Sequence, residues 1–255
     1  MPRVYSVSFE RHVPVAMRDG VVLYADVYRP AAPGRFPVIL QRTPYDKAGT
    51  VGSPAAFALR AAGEGYAVVI QDTRGRWTSE GPFNAFPHEQ QDGYDTCAWL
   101  QEQPWSNGRI GMFGASYIGL TQWQSALAGA PGLQAIVPTV TAADYHEGWT
   151  YQGGAFELNF NLSWMMTFLA TNTASRRLND DPDFQPKFDE LLNRIDRMDQ
   201  EFDRMPLAGD PLISDLAPFY EDWLGNPTHC DLWDAIKVDT NYGDIDVAAL
   251  NVGGW

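Results

Sequence analysis

The chain has 255 residues, 45% of them hydrophobic and 13% aromatic, and a formal net charge of -14. That much apolar side chain excludes a disordered chain and suffices for one large domain, or one domain with an insertion. The negative charge repels phosphate backbones and anionic lipid, so nucleic acid and membrane surfaces are not expected partners.

Residues 4–16 and 21–30 are rich in Val, Tyr and Phe and flank Asp19-Gly20, so they predict a β-hairpin. The short apolar run 36–40, after Pro33-Gly34, predicts a strand. The Ala-rich stretch 54–62 predicts a helix that ends at Gly63 and Gly65. Residues 66–70 are continuously apolar, as a strand buried on both faces requires. A helix is expected over 89–103, with Tyr94, Cys97, Ala98 and Trp99 available for its inward face. A strand over 109–113, a helix over 116–130 and a strand over 133–140 follow. Strands and helices alternate, which predicts an α/β fold with a mostly parallel sheet and helices on both faces.

After residue 143 the rhythm changes. An aromatic and Met-rich stretch, 149–168, precedes charged helix-like segments over 184–202, and Pro206, Pro211, Pro218 and Pro227 divide the remainder. This reads as a helical insertion. Residues 247–252 return as a strand. The expected organisation is core over 1–143, helical insertion over 144–242 and core resumed over 243–255.

The chemistry points to Ser116. A serine hydroxyl is a weak nucleophile, so it needs a base and a position that its own helix does not cover. A sharp strand–turn–helix supplies the position, with small residues beside the serine. Here the strand 109–113 runs into Gly114-Ala115-Ser116 and the helix begins at once. The strict elbow has glycine two residues after the serine; this chain has Ile118 there and Gly119 one place later. A serine that merely caps a helix is the competing reading.

More than the elbow is familiar. The run from Trp99 to Gly119, with Gly114-Ala115-Ser116-Tyr117-Ile118-Gly119 at its end, resembles the nucleophile region of the cocaine esterase and X-prolyl dipeptidyl peptidase family, also called CocE/NonD hydrolases. That family's Gly-x-Ser-Tyr-x-Gly pattern accounts for the displaced Gly119. Arg42-Thr43-Pro44-Tyr45-Asp46-Lys47 is similar to its oxyanion-tyrosine loop. Asp72-Thr73-Arg74-Gly75 with Ser79-Glu80-Gly81 is similar to its post-strand loop, and Asn251-Val252-Gly253-Gly254-Trp255 to the strand that leads to its catalytic acid.

The resemblance implies an α/β-hydrolase core with a helical cap. It implies Ser116 as catalytic nucleophile, with the Tyr117 N–H and the Tyr45 hydroxyl as oxyanion donors. Without the resemblance, Tyr45 reads as a rim aromatic after a strand. Trp149 and Trp164 match cap positions that line the acyl pocket in the cocaine esterase branch; the alternative is that they are packing core. In the family the acid comes just after the Gly-Trp pair and the histidine later still. The chain is therefore expected to be the N-terminal part of a longer enzyme, cut before the last strands and with an incomplete triad. His146 and His229 follow Ser116, and His229 with Asp222 is a formal alternative triad.

The implied function is hydrolysis of a carboxylic ester through an acyl-enzyme. The alternatives are an X-Pro dipeptidyl peptidase or amide acylase, and an inactive fragment or ligand-binding relative. Relatives that cleave α-amino acid esters carry Glu where this chain has Ile118; Asp144 and Glu147 are weak substitutes, so a neutral ester is favoured. The expected partner is a small ester or acyl substrate, with homo-oligomerisation left open. No cofactor or metal is expected, because no His, Asp or Glu cluster has ligand spacing. Cys97 and Cys230 lie far apart and read as two reduced thiols, with a single disulfide as the alternative. No stretch of ~18 apolar residues and no signal-type run occurs, which makes the cytoplasm the expected compartment.

Overall fold

A computed structural model describes residues 4–49 and 54–254. Trp255, the last residue of the glycine–tryptophan block, lies outside the described residues. Two compact units separate. The first holds the chain through Pro82, then Phe86–Ala143, and again from Val238 onward; the second holds Phe83–Ala85 and Asp144–Lys237.

The first unit is built on one sheet. Strands β1 (Val7–Ala16) and β2 (Val22–Pro30) form the expected antiparallel hairpin. Its turn closes with Met17 N–H donating to Val21 and Gly20 N–H to Met17. Strand β3 (Phe36–Thr43) is followed by helix α1 (Pro54–Gly63) and strand β4 (Ala67–Asp72). Helix α2 (Glu89–Glu102), strand β5 (Ser106–Ala115), helix α3 (Tyr117–Leu127) and strand β6 (Leu133–Thr139) complete the alternation. The order across the sheet is β1, β2, β4, β3, β5, β6 and last the two-residue strand Ala248–Ala249. From β4 onward every pairing is parallel.

Helices cover both faces, which is why β4 could be read as one apolar run: all six of its residues are buried. On one face Leu40, Val69, Met112 and Ile136 pack against Cys97 and Leu100 of α2 and Trp123 of α3. On the other, Val68 and Ile70 pack against Ala58 and Ala62 of α1. Each fully buried Leu or Val adds about 1.5–3 kcal/mol.

Helix α2 departs from expectation. Cys97 is buried, but Tyr94 points outward beside Arg18, and Ala98 and Trp99 are only half-buried. Glu89, Asp92, Gly93 and Thr96 take the inward places. Partners from β3 and from the turn after β4 decide this. Arg42 meets Glu89, and Arg74 grips Asp92 with Nε at 3.0 Å and Nη2 at 2.6 Å. A buried carboxylate is tolerated when such partners meet it.

Strand order decides which loops meet. β3 and β5 lie side by side and parallel, with Leu40 opposite Met112. β3 and β4 are parallel too, with Thr43 opposite Asp72. The loops leaving β3, β4 and β5 therefore share one edge of the sheet, the carboxyl edge where open parallel sheets bind ligands.

The second unit is mainly helical. Helix α4 (Leu158–Trp164) runs into a π-helical segment, Met165–Ala170, and then α5 (Thr171–Asp180) and α6 (Gln185–Ile195). Pro211 and Pro218 each open a short helix, where a missing N–H costs nothing. A two-strand hairpin pairs Tyr151 with Phe156. Phe83 joins this unit through an edge-on contact with Phe219 at 5.5 Å. The unit ends at Lys237 rather than at residue 242. Val238 is buried in the first unit's core, and its N–H donates to Ala143.

Among the described residues no helix is long and apolar enough to cross a membrane. Cys97 and Cys230 are both free thiols.

Candidate active site

Ser116 stands between β5 and α3 with φ 60 and ψ -129, a conformation that L-residues rarely adopt. Such a residue costs on the order of 1–3 kcal/mol and persists only where its surroundings hold it. Here the backbone is held at both ends. Ser116 N–H lies 3.0 Å from the Thr139 carbonyl and 3.2 Å from that of Val140. Its own carbonyl accepts from Gly119 at 2.8 Å and Leu120 at 3.1 Å. The side chain is half-buried, clear of its helix.

The flanking glycines have distinct reasons. Gly114 has φ 136, and a Cβ there would run into Ile118. A Cβ on Gly119 would sit 2.7 Å from Thr141, in the loop after β6. The glycine one place late thus lets that loop approach α3, while Ile118, two after the serine, folds its side chain over Gly114. Gly114→Ala is expected to destabilise the fold by about 1–3 kcal/mol, from strain plus overpacking. Gly111→Ala is the control, because its Cβ would meet only Ala135 O at an ordinary 3.7 Å. Thermal denaturation distinguishes them; equal melting midpoints would refute this account of the elbow.

Tyr45 follows β3. Its hydroxyl lies 3.5 Å from Ser116 Oγ, 71 residues away in sequence. The loop that carries it is tied down. Tyr45 N–H donates to Thr43 Oγ1, and the Pro44 carbonyl accepts from Arg76 and Trp77. Lys47 N–H donates to Asp72 Oδ1 at 2.7 Å, and Lys47 Nζ reaches Asp72 Oδ2 at 3.1 Å and Thr78 Oγ1 at 2.7 Å. Burial pushes the Asp72 carboxyl up, against the pull of Lys47.

Tyr117 is the first residue of α3. Its backbone N–H is one of those that point out of a helix N-terminus. Its ring is fully buried and stacks on Phe86. Its hydroxyl accepts from Phe86 N–H at 3.0 Å and donates to Glu89 Oε1 at 2.9 Å. Ser116, Tyr45 and Tyr117 are thus brought together at one edge of the sheet. Neither His12 nor His88, the histidines of this unit, hydrogen-bonds Ser116 among the described residues.

The second unit carries the other predicted positions. Trp149 and Trp164 are buried edge-to-face, 5.8 Å apart, and Trp164 also stacks on Trp223 at 6.2 Å. The Trp149 indole N–H has no hydrogen-bond partner among the described residues. His229 sits 3.5 Å from Asp144 and 3.9 Å from Asp234, so its carboxylate neighbours are these rather than Asp222. Asp144 also holds Lys237 at 2.8 Å. Burial works against its ionisation, but Lys237 and two backbone N–H groups outweigh that and hold the carboxyl below its ordinary range. Glu147 accepts from Gly153 N–H. Among the described residues no group of three or more His, Cys, Asp or Glu could hold a metal ion.

Sequence reading missed the polar supports: Lys47 with Asp72, and Glu89 with Arg42 and Tyr117. The available signal was in α2. Glu89, Asp92 and Thr96 share the face of Leu100 at helical spacing, so an inward Leu100 brings two carboxylates with it once partners meet them.

Known proteins resemble the chain in sequence and fold. The chain is 38% identical over 255 residues to cocaine esterase from Rhodococcus sp. (strain MB1 Bresler), covering 98% of this chain and 44% of that protein. An aminopeptidase from a marine sediment Thaumarchaeota archaeon superposes with a TM-score of 0.70 at 22% identity, over 100% of this chain and 44% of that one. A CocE/NonD family hydrolase from Staphylococcus aureus does so with a TM-score of 0.67 at 23% identity, over 94% of this chain and 39% of that one. The chain therefore spans less than half the length of these relatives, and the two solved structures share its α/β-hydrolase-type fold. The family model described as X-Pro dipeptidyl-peptidase (S15 family) matches residues 19–255, so the chain belongs to the S15 family.

Proposed function

We propose that the chain carries the nucleophile and both oxyanion donors of a serine hydrolase that cleaves a carboxylic ester through an acyl-enzyme. One observation carries this reading: the strained Ser116 at the carboxyl edge of a parallel sheet, with the Tyr45 hydroxyl 3.5 Å from its Oγ. In this mechanism Oγ attacks the ester carbonyl and gives up its proton to a base. The carbonyl oxygen becomes an oxyanion that the Tyr117 N–H and Tyr45 O–H stabilise. Collapse expels the alcohol and leaves the acyl group on Ser116; water then releases the acid and restores the hydroxyl.

The substrate class is set by the residues beside the serine. Ile118 is buried over Gly114, so that position offers no carboxylate to an ammonium group. In the family reading the helical unit is the cap, and Trp149 and Trp164 take its acyl-lining positions. Both features favour a neutral ester. The family description favours X-Pro dipeptide release as a second reading.

A fluorophosphonate probe tests the chemistry, since it phosphonylates only an activated serine. In the full gene product, peptide mapping should find the label on Ser116. A folded protein that stays unlabelled there would falsify the reading. Turnover of a p-nitrophenyl ester against an Xaa-Pro-anilide decides between the two substrate classes.

A further inference from the structure

We infer that Glu89 is a positioning residue that ties the two oxyanion donors together, through the Tyr117 phenol on one side and Arg42 on the other. This rests on the serine hydrolase reading and adds a role for side chains that touch no substrate.

Glu89 opens α2 and is buried. One carboxylate oxygen, Oε1, takes the Tyr117 hydroxyl at 2.9 Å. The other, Oε2, lies 2.8 Å from Arg42 Nη1. The same Arg42 nitrogen also donates to the Glu89 backbone carbonyl at 3.1 Å, and Arg42 Nε donates to Gln71 Oε1 at 2.9 Å. Arg42 belongs to β3, three residues before Tyr45. Its own carbonyl accepts from Thr121 Oγ1 in α3 at 3.3 Å. A single carboxylate therefore joins the segment that presents the Tyr117 N–H to the strand that presents the Tyr45 hydroxyl.

Stability is a weak reason for such a pair. Desolvating two charges is costly, and apolar residues of similar size often serve as well or better. Directional bonds offer something else: they fix the phenol and guanidinium in one geometry. The Tyr117–Glu89 bond and the two Arg42 bonds to Gln71 and the Glu89 carbonyl supply the rigidity of such a network, whereas Glu89 Oε2 meets Arg42 as an ion contact and has no hydrogen-bond partner among the described residues. The elbow needs that rigidity, because Ser116 holds a conformation that its neighbours must enforce. The protonation pattern fits. Burial pushes the Tyr117 hydroxyl well above the ordinary phenol value, so it keeps its proton and donates. Burial raises Glu89 too, while Arg42 pulls the other way.

The test uses the full gene product and a p-nitrophenyl ester. Tyr117→Phe keeps the backbone N–H and removes only the phenol oxygen. It should lower kcat by about 10- to 100-fold, the loss expected from a displacement of up to ~1 Å, with KM nearly unchanged. Phosphonate labelling of Ser116 should slow by the same factor. Glu89→Gln should show the same split, and the double variant should lose no more than the worse single variant. If Tyr117→Phe does not fold, Glu89→Gln decides by the same measurements. A purely structural role would lower the melting midpoint and leave kcat intact below it; that result overturns the inference while the hydrolase reading stands. A wild type whose Ser116 neither turns over ester nor labels overturns both.

Discussion

In the full gene product, Ser116→Ala is expected to lower kcat for ester hydrolysis by on the order of 10⁶-fold, with the fold unchanged. The nucleophile is the only atom removed. Alanine accepts the same backbone conformation at about the same cost, and the bonds that hold it are backbone bonds to Thr139, Val140, Gly119 and Leu120. The side chain's hydrogen-bond neighbour is the Tyr45 hydroxyl at 3.5 Å, a long contact, so its loss changes stability by well under ~1 kcal/mol. Steady-state kinetics with a p-nitrophenyl ester, beside a thermal melt, checks both halves. Ester turnover within a hundredfold of wild type would remove Ser116 from the chemistry.

Tyr45→Phe carries the next largest effect, a loss of about 10²–10³-fold in kcat, or roughly 3 kcal/mol of transition-state stabilisation. The loss should fall on kcat rather than KM, because the donor is aimed at charge that exists only in the transition state. Stability should barely move. The loop is held through the Tyr45 N–H, the Pro44 carbonyl and Lys47, which bond Thr43, Arg76, Trp77 and Asp72. Tyr45→Phe and Tyr117→Phe thus remove the same atom for different reasons. The first takes away a donor; the second loosens the mount of a donor that remains. An unchanged kcat for Tyr45→Phe, with Ser116 still labelled, would leave the oxyanion to Tyr117 and some other group.

The supports are what separate this site from a serine at an ordinary helix start. Asp72 is fully buried and receives both the backbone N–H and the side chain of Lys47, which closes the Tyr45 loop onto the end of β4. Glu89 holds the elbow from α2. Both carboxylates act on residues of other elements.

Local features were legible. The hairpin at Asp19-Gly20, the buried run of β4 and the strand–Gly114-Ala115-Ser116–helix transition depend on neighbours a few residues apart. Periodicity and turn chemistry report such neighbours directly. Ser116 could therefore be named as nucleophile candidate from its own surroundings, and the family blocks named Tyr45 and Tyr117 with it. Of the residues expected on the inward face of α2, Cys97 is fully buried, while Tyr94, Ala98 and Trp99 are not. Arg42 on β3 and Arg74 in the turn after β4 turn Glu89 and Asp92 inward and leave Tyr94 outside. His229 is a similar case, since Asp144 stands beside it from 85 positions away.

The sequence by itself determined the alternation of strands and helices, the elbow and the residue types its chemistry needs. Each of those is set by side-chain period and backbone preference over a few residues. Only the tertiary structure decided that β3 lies beside β5, which brings Tyr45 within 3.5 Å of Ser116. It alone decided that Gly119 serves the approach of Thr141, and that Glu89 stands under Tyr117. Strand order and buried charge pairing depend on partners far apart in the chain, and no local pattern encodes which partner is met.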